Sequence, residues 1–256
     1  FPHHENEIAQ SEGCTGKAFV KYWMHNNMIN FGQQKMSKSL GNIRTGRSFL
    51  AEYNAEIFKF MILHVHYRSV SDFSQEAIDR AVSGLARIYS ALAVAESYVE
   101  GATAASATVA DPGFDKALTE AVQGIGQALN DDFNTPEAFA RIYDLVRAFN
   151  GMVKWGMKPQ PLVISRCQKF IEGVRHFGKL ASLFQEPAKQ YLLTLDDMLL
   201  KKKGLVRAEI DGLVAQRWQA RQAKDFAKSD ELRDQLLKLG IQLSDTPTGS
   251  CWEVQK

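Results

Sequence analysis

Apolar residues recur at helical spacing through the middle of the chain, and the pattern changes character at both ends. Residues 47–53 predict a short helix. Asn54 is an N-cap candidate for the next helix, where Ile57, Phe58, Met61, Ile62 and Val65 share a face. Ser74, followed by Gln75 and Glu76, opens a long amphipathic helix with the stripe Ile78, Val82, Leu85, Ile88, Leu92 and Ala95. A second bundle helix is expected from Phe114 to Leu129. Thr135-Pro136-Glu137 supplies an N-cap, a first-turn proline and an early acid for a third, which carries Phe139, Ile142, Leu145, Val146 and Phe149. A fourth is expected over about 161–184, through Ile164, Phe170, Ile171, Val174, Phe177 and Leu180. Four such stripes predict a helical bundle.

The flanks differ. Pro2 starts a helix over the first residues, 18–31 suggest two short strand-like pieces, and a polar loop is expected from Gly32 to Asn42. Residues 101–113 are small, poor in charge and end in Pro-Gly, as a flexible connection would be. Residues 185–204 read as a second irregular stretch, ending in Lys201-Lys202-Lys203-Gly204. Two charged helices follow, about 205–222 and 226–239, stopped by Gly240. A strand from Ile241 to Leu243, a Thr-Pro-Thr-Gly turn at 246–249 and the segment Ser250–Val254 complete a small α+β module.

At 256 residues and 45% hydrophobic, the chain is long enough to bury the core of one or two domains. No apolar run approaches the ~18 residues of a membrane helix, and no signal peptide opens the chain. It begins mid-motif without a Met, which reads as part of a longer polypeptide. Cys14, Cys167 and Cys251 are far apart and odd in number, which argues against a disulfide scaffold, and a reducing cytoplasm is expected. Residues 1–50 carry six Lys/Arg against three acids, 51–200 carry 14 against 18, and 201–256 carry 11 against 8. Both ends are basic around an acidic middle, which suits contact with a polyanion at two separated places.

Lys35-Met36-Ser37-Lys38-Ser39, followed by Leu40-Gly41-Asn42, carries the strongest chemistry. Two ammonium groups, two hydroxyls and several backbone N–H groups in one short loop can engage a polyphosphate and stabilise charge building on it. His3 and Glu7 stand at i and i+4 on the first helix, where an imidazole and a carboxylate can share one zinc ion; by chemistry alone His4 serves as well as His3.

These motifs, with Phe1–Gln10, Tyr22-Trp23-Met24-His25, His66–Ser69, Asp131–Ala138, Arg221–Asp225 and Gly240–Gly249, resemble the cysteinyl-tRNA synthetase family of class I aminoacyl-tRNA synthetases. The resemblance runs along the whole chain, less securely at 100–113 and 185–204. It implies a mostly α chain with five parts. Residues 1–45 would be the end of a Rossmann-type catalytic domain with the Lys-Met-Ser-Lys-Ser loop. Stem-contact helices would occupy 46–73, a four-helix bundle 74–186, a linker 187–204 and an anticodon-binding α+β module 205–256.

The implied activity is activation of L-cysteine with ATP, normally with Mg2+, and transfer to tRNA(Cys). In that resemblance Lys35 and Lys38 are catalytic. Ser37, Lys38, Ser39, Met24 and His25 bind ATP, while His3 and Glu7 ligate Zn2+ with two cysteines from an N-terminal half absent here. Arg221, Phe226, Asp230 and Asp245 read the anticodon. A chain without that half is expected to be inactive alone. A cytoplasmic monomer that touches no membrane is expected. Two other readings are a non-catalytic tRNA-binding remnant and the cysteine ligase of mycothiol synthesis, which shares the loop and zinc site but should lack the module at 205–256.

Overall fold

The computed structural model describes residues 2–31, 34–35, 45–101, 109–246 and 249–256. Helix α1 (His3–Thr15) begins after Pro2 and ends at Gly16, whose φ of +64° is a left-handed turn that glycine adopts without strain. It buries none of its own residues. Residues 18–28, expected to hold strand-like pieces, run irregularly to β1 (Ile29–Phe31). β1 pairs antiparallel with β2 (Gln34–Lys35) and parallel with β3 (Ser71–Asp72), so the strand order is β2-β1-β3. Of the loop expected over 32–42, only residues 34 and 35 are among those described.

Helices α2 (Gly46–Glu52), α3 (Ala55–Leu63) and α4 (Gln75–Glu100) each start on a capping side chain. Thr45, Asn54 and Ser74 accept from the backbone N–H groups of Ser48, Ile57 and Ala77 respectively, satisfying a donor that the first turn leaves open. All six stripe residues of α4 are buried. Around α4 pack α3, α6 (Thr135–Met152), α7 (Pro161–Ala181) and α8 (Ala188–Lys202), while α5 (Pro112–Asn130) pairs with α6. The four expected helices therefore form the bundle, and α3 and α8 add to it.

Several boundaries differ from expectation, each for a local reason. The end of the supposed flexible connection is fixed. Buried Asp111 caps α5 by accepting from Phe114 N and pairs with Arg166 Nε at 2.6 Å, while Val109 N donates to Ser165 Oγ at 3.2 Å. Asn134, rather than Thr135, caps α6. α7 stops at Ala181 because Ser182 turns left-handed at φ +55°; Leu180 is exposed, and Phe184 folds back into the core.

The largest correction concerns 185–204. The stretch read as an irregular linker holds a 15-residue helix, α8. Its neighbour Pro187 and its lysine-rich end obscured the inward set Ala188, Tyr191 and Leu195. No side chain of its own caps α8. Instead Glu96 on α4 reaches across, with Oε2 accepting from Ala188 N at 2.9 Å and Oε1 from Arg175 at 2.6 Å.

Beyond α8, α9 (Arg207–Gln222) and α10 (Phe226–Lys238) pack on each other and on an antiparallel hairpin of β4 (Ile241–Thr246) and β5 (Gly249–Val254). The first strand is longer than the expected 241–243, and the turn residues 247–248 lie outside the described set. Leu200, Ile210, Val214, Leu236, Ile241 and Val254 form a second core, distinct from the bundle's. Among the described residues, no helix is long and apolar enough to cross a membrane.

Glu96→Ala should cost about 2 kcal/mol of folding free energy, because it strips one cationic and one helix-end donor of their acceptor. Urea denaturation measures this; a change below about 0.5 kcal/mol would mean that α8 is held by apolar packing alone.

Candidate functional site

The sequence candidates fall in three places. On α1, His3 and Glu7 are both exposed, one turn apart. His4 points elsewhere: its ring lies 4.5 Å from that of His25 and 5.5 Å from that of Trp23. Trp23 in turn stacks on His25 and meets Phe19 edge-on. Desolvation, then the terminal ammonium and the nearby histidines, lowers the His4 pKa. Cys14 is exposed on the same helix, but a rise of 1.5 Å per residue puts it about 16 Å from His3. Cys167 is buried, and burial pushes its thiol up to about 12, so it stays protonated. Among the described residues, no three His, Cys, Asp or Glu side chains gather into a metal site.

The second place is the approach to the lysine loop. Lys35 closes β2 opposite Asn30, while Met36, Ser37, Lys38 and Ser39 lie outside the described residues. Met24 and His25 are exposed, and Met24 lines a largely apolar cavity of about 300 Å³ with Asn26, Ile29, Leu63 and Phe133. Phe19, Val20, Tyr22, Trp23 and Met24 together leave an exposed apolar strip beside α1. Nearby, Arg68 makes a two-pronged ion pair with Asp132 (Nε–Oδ2 2.6 Å, Nη2–Oδ1 3.2 Å), and Tyr67 OH donates to Oδ1 at 2.6 Å. Those donors hold the Asp132 carboxyl down at about 2.

The third place is the module after α8. Arg217 is buried and grips Asp245 in a fork, Nη1–Oδ1 at 2.7 Å and Nη2–Oδ2 at 3.1 Å. Ser250 Oγ donates to Oδ1 at 2.6 Å, and Arg221 closes on Oδ2. A carboxylate offers about four acceptor positions, and here four donors take them. Asp245 and Arg221 thus meet each other first. Phe226 and Asp230 are brought into neither contact: both are exposed on α10, Phe226 as its first residue. Arg217 is absent from the sequence candidates, although the i, i+4, i+7 series Ile210, Val214, Arg217 pointed it inward.

Comparison with known proteins follows the same order along the chain. Residues 1–83 match the model of the tRNA synthetases class I (C) catalytic domain. Residues 125–185 match the DALR domain, and 204–252 match the cysteinyl-tRNA ligase anticodon binding domain. A cysteine–tRNA ligase of Bdellovibrio bacteriovorus is 59% identical over 256 residues, all of this chain and 52% of the relative. The chain belongs to the cysteinyl-tRNA synthetase family. Cysteine–tRNA ligases of Syntrophotalea carbinolica and Trichlorobacter lovleyi are each 39% identical over the same 256 residues, covering 52% and 53% of their lengths. The chain thus spans about half the length of the curated relatives it matches. Its class is a mostly helical chain with the catalytic-domain end of a class I synthetase first and the anticodon-binding domain last.

The grip on Asp245 gives a test. Its carboxyl lies well below the usual range, chiefly through the Arg217 bonds. A depressed acid stabilises the fold above its unfolded value of about 3.9, and that contribution is lost as pH falls through the lower folded value. Module stability should therefore be flat from pH 7 to 5 and fall in stronger acid. Arg217→Ala should remove that acid limb and cost about 2–3 kcal/mol, below the full penalty for a buried pair because Asp245 is one-third exposed. Arg221→Ala, at a half-exposed position, should cost under about 1 kcal/mol. Thermal melts across pH compare them; equal losses would contradict this division.

Proposed function

We propose that this chain supplies part of a cysteine–tRNA ligase, which activates L-cysteine with ATP to cysteinyl-adenylate and transfers it to tRNA(Cys) in the cytoplasm. The observation that carries the reading is 59% identity to such a ligase over every residue, with both signature lysines in place. The match of 204–252 to the anticodon-binding domain separates this reading from a cysteine ligase acting on an amino-sugar inositol. The exposed apolar strip from Phe19 to Met24 suits one face of a larger catalytic domain.

In the first step the cysteine carboxylate attacks the α-phosphorus of ATP and pyrophosphate leaves. Negative charge moves onto the departing phosphates, and Lys35 and Lys38, with Ser37 and Ser39, are the donors that meet it. Their benefit falls in the transition state rather than in substrate binding. Mg2+ accompanies the ATP. Met24 and His25 are proposed against the adenosine, and Met24's place on the apolar cavity supports a flat, weakly polar ligand there.

His3 and Glu7 would hold zinc as two of its ligands: one imidazole and one carboxylate, exposed on adjacent turns. Commitment of His4 to the His25–Trp23 cluster favours His3 as the ligand. Zinc bound by these two residues and further ligands would supply affinity for the thiolate of the substrate.

In the second step a terminal tRNA hydroxyl attacks the activated carbonyl and AMP leaves. The tail is proposed to select the tRNA by its anticodon. Phe226 offers an exposed ring for stacking an unpaired base, and Asp230 a carboxylate for its edge. Asp245 can take part only when Arg221 swings off Oδ2, which frees an acceptor and a guanidinium together.

In the complete polypeptide, Lys38→Ala should lower the turnover of cysteine-dependent ATP–pyrophosphate exchange at least about 100-fold, while the KM for cysteine stays within about twofold. In the same preparation, His3→Ala should lose zinc and His4→Ala should retain it. Unchanged turnover in the lysine variant would remove the loop from the chemistry, and zinc loss confined to His4→Ala would reverse the histidine assignment.

A further inference from the structure

The dipeptide Tyr67-Arg68 faces two ways. Its backbone oxygens accept from Asn27: Asn27 N donates to Tyr67 O at 2.8 Å, and Asn27 Nδ2 donates to Arg68 O at 2.8 Å. Its side chains hold Asp132, through the Arg68 fork and the Tyr67 hydroxyl. Next to them, His66 Nε2 lies 3.1 Å from the Asp132 carbonyl oxygen.

Each end of this contact leads somewhere. Asn27 Oδ1 accepts from Met28 N, Met28 O from Ser71 N at 3.1 Å, and Asn30 O from Phe73 N at 2.8 Å. These bonds fix β1 against β3, and β1 in turn pairs Asn30 with Lys35 on β2. Lys35 is the first residue of the lysine loop. Asp132 sits in the turn between α5 and α6, where it and Phe133 both adopt left-handed backbone at φ +53° and +54°. Non-glycine residues are rarely found there, and two in succession persist only where surrounding contacts over-determine them. The carboxylate is thus presented to Arg68 by a turn that the chain does not adopt spontaneously.

The geometry points to Asp132 as a positioning residue for the lysine loop, anchoring the β1–β2 hairpin to the helical bundle through Arg68 and Asn27. The inference rests on the proposed role of Lys35 and Lys38 in adenylate formation. Its action on the loop is indirect, through the strands that lead into it.

The test uses the complete polypeptide with Asp132→Asn, Arg68→Lys and the double variant. Asn keeps the shape and tolerates left-handed backbone, so folding is preserved while the charge is lost. Lys keeps the charge of Arg68 but not its fork. Two readouts are taken: hydrogen exchange of the amides from Asn27 to Lys35, and cysteine-dependent ATP–pyrophosphate exchange. Both single variants should lose protection at those amides and about tenfold in turnover, with the KM for cysteine unchanged. The double variant should be no worse than the poorer single, since both break one link.

Unchanged protection overturns the link, whatever the activity. Lost protection with undiminished turnover overturns the positioning role, as does full multiplication of the two single effects. If the unsubstituted protein shows no cysteine-dependent exchange while the variants lose protection, the anchor stands and the proposed function falls.

Discussion

Leu195 and Leu200 lie five residues apart on α8 and belong to different hydrophobic cores. Leu199, between them, packs against both. The helix is therefore the element through which the bundle and the terminal module share burial, at roughly 1.5–3 kcal/mol for each fully buried leucine. Its start depends on Glu96 of α4, and its middle on the tail: buried Asp196 accepts from Val254 N at 3.2 Å and pairs with Lys256 at 3.0 Å. Desolvation raises the Asp196 pKa, so that pair contributes fixed geometry more than stability. A loose linker would have left the module unattached; a continuous helix gives it a defined seat.

The segment ahead of the bundle follows a different logic. α1 and the residues up to 28 bury little, and their attachment is polar, concentrated at Asn27, Tyr67, Arg68 and Asp132. Exposed ion pairs contribute little to overall stability, but a two-pronged one restricts orientation. The bundle itself is apolar and aromatic, with Phe149 stacked on Phe170 and Tyr89 on Tyr191.

Much of this was legible in the sequence because local signals agreed. Ser74 and the six-residue stripe of α4 announce that helix, and Asn54 announces α3, since cap and periodicity point the same way. Where adjacent residues competed for one role, as Asn134 and Thr135 did at the start of α6, the boundary moved by one. α8 was hidden because Pro187 and the lysine run imitate a linker, and its decisive partners lie at Glu96 and Lys256, far along the chain. Of the candidate site, the lysine-rich motif and the His3–Glu7 spacing are visible in the sequence because they are local patterns. The saturation of Asp245 by Arg217, Ser250 and Arg221 could not, since it needs β4, β5 and α9 folded together. The Asp132 turn was equally closed to inspection, as its partner Arg68 stands 64 residues away.

Under the proposed function, adenylate chemistry lies at the lysine loop and anticodon selection in the tail. One experiment tests that separation directly: Asp230→Ala in the complete polypeptide, assayed for cysteine-dependent ATP–pyrophosphate exchange and for charging of tRNA(Cys) transcripts with cognate and altered anticodons. The account predicts unchanged exchange, a roughly tenfold or greater loss of kcat/KM for the cognate transcript, and a much smaller loss once the anticodon is altered. An identical loss with both transcripts would contradict it, making Asp230 a structural residue and moving anticodon reading elsewhere.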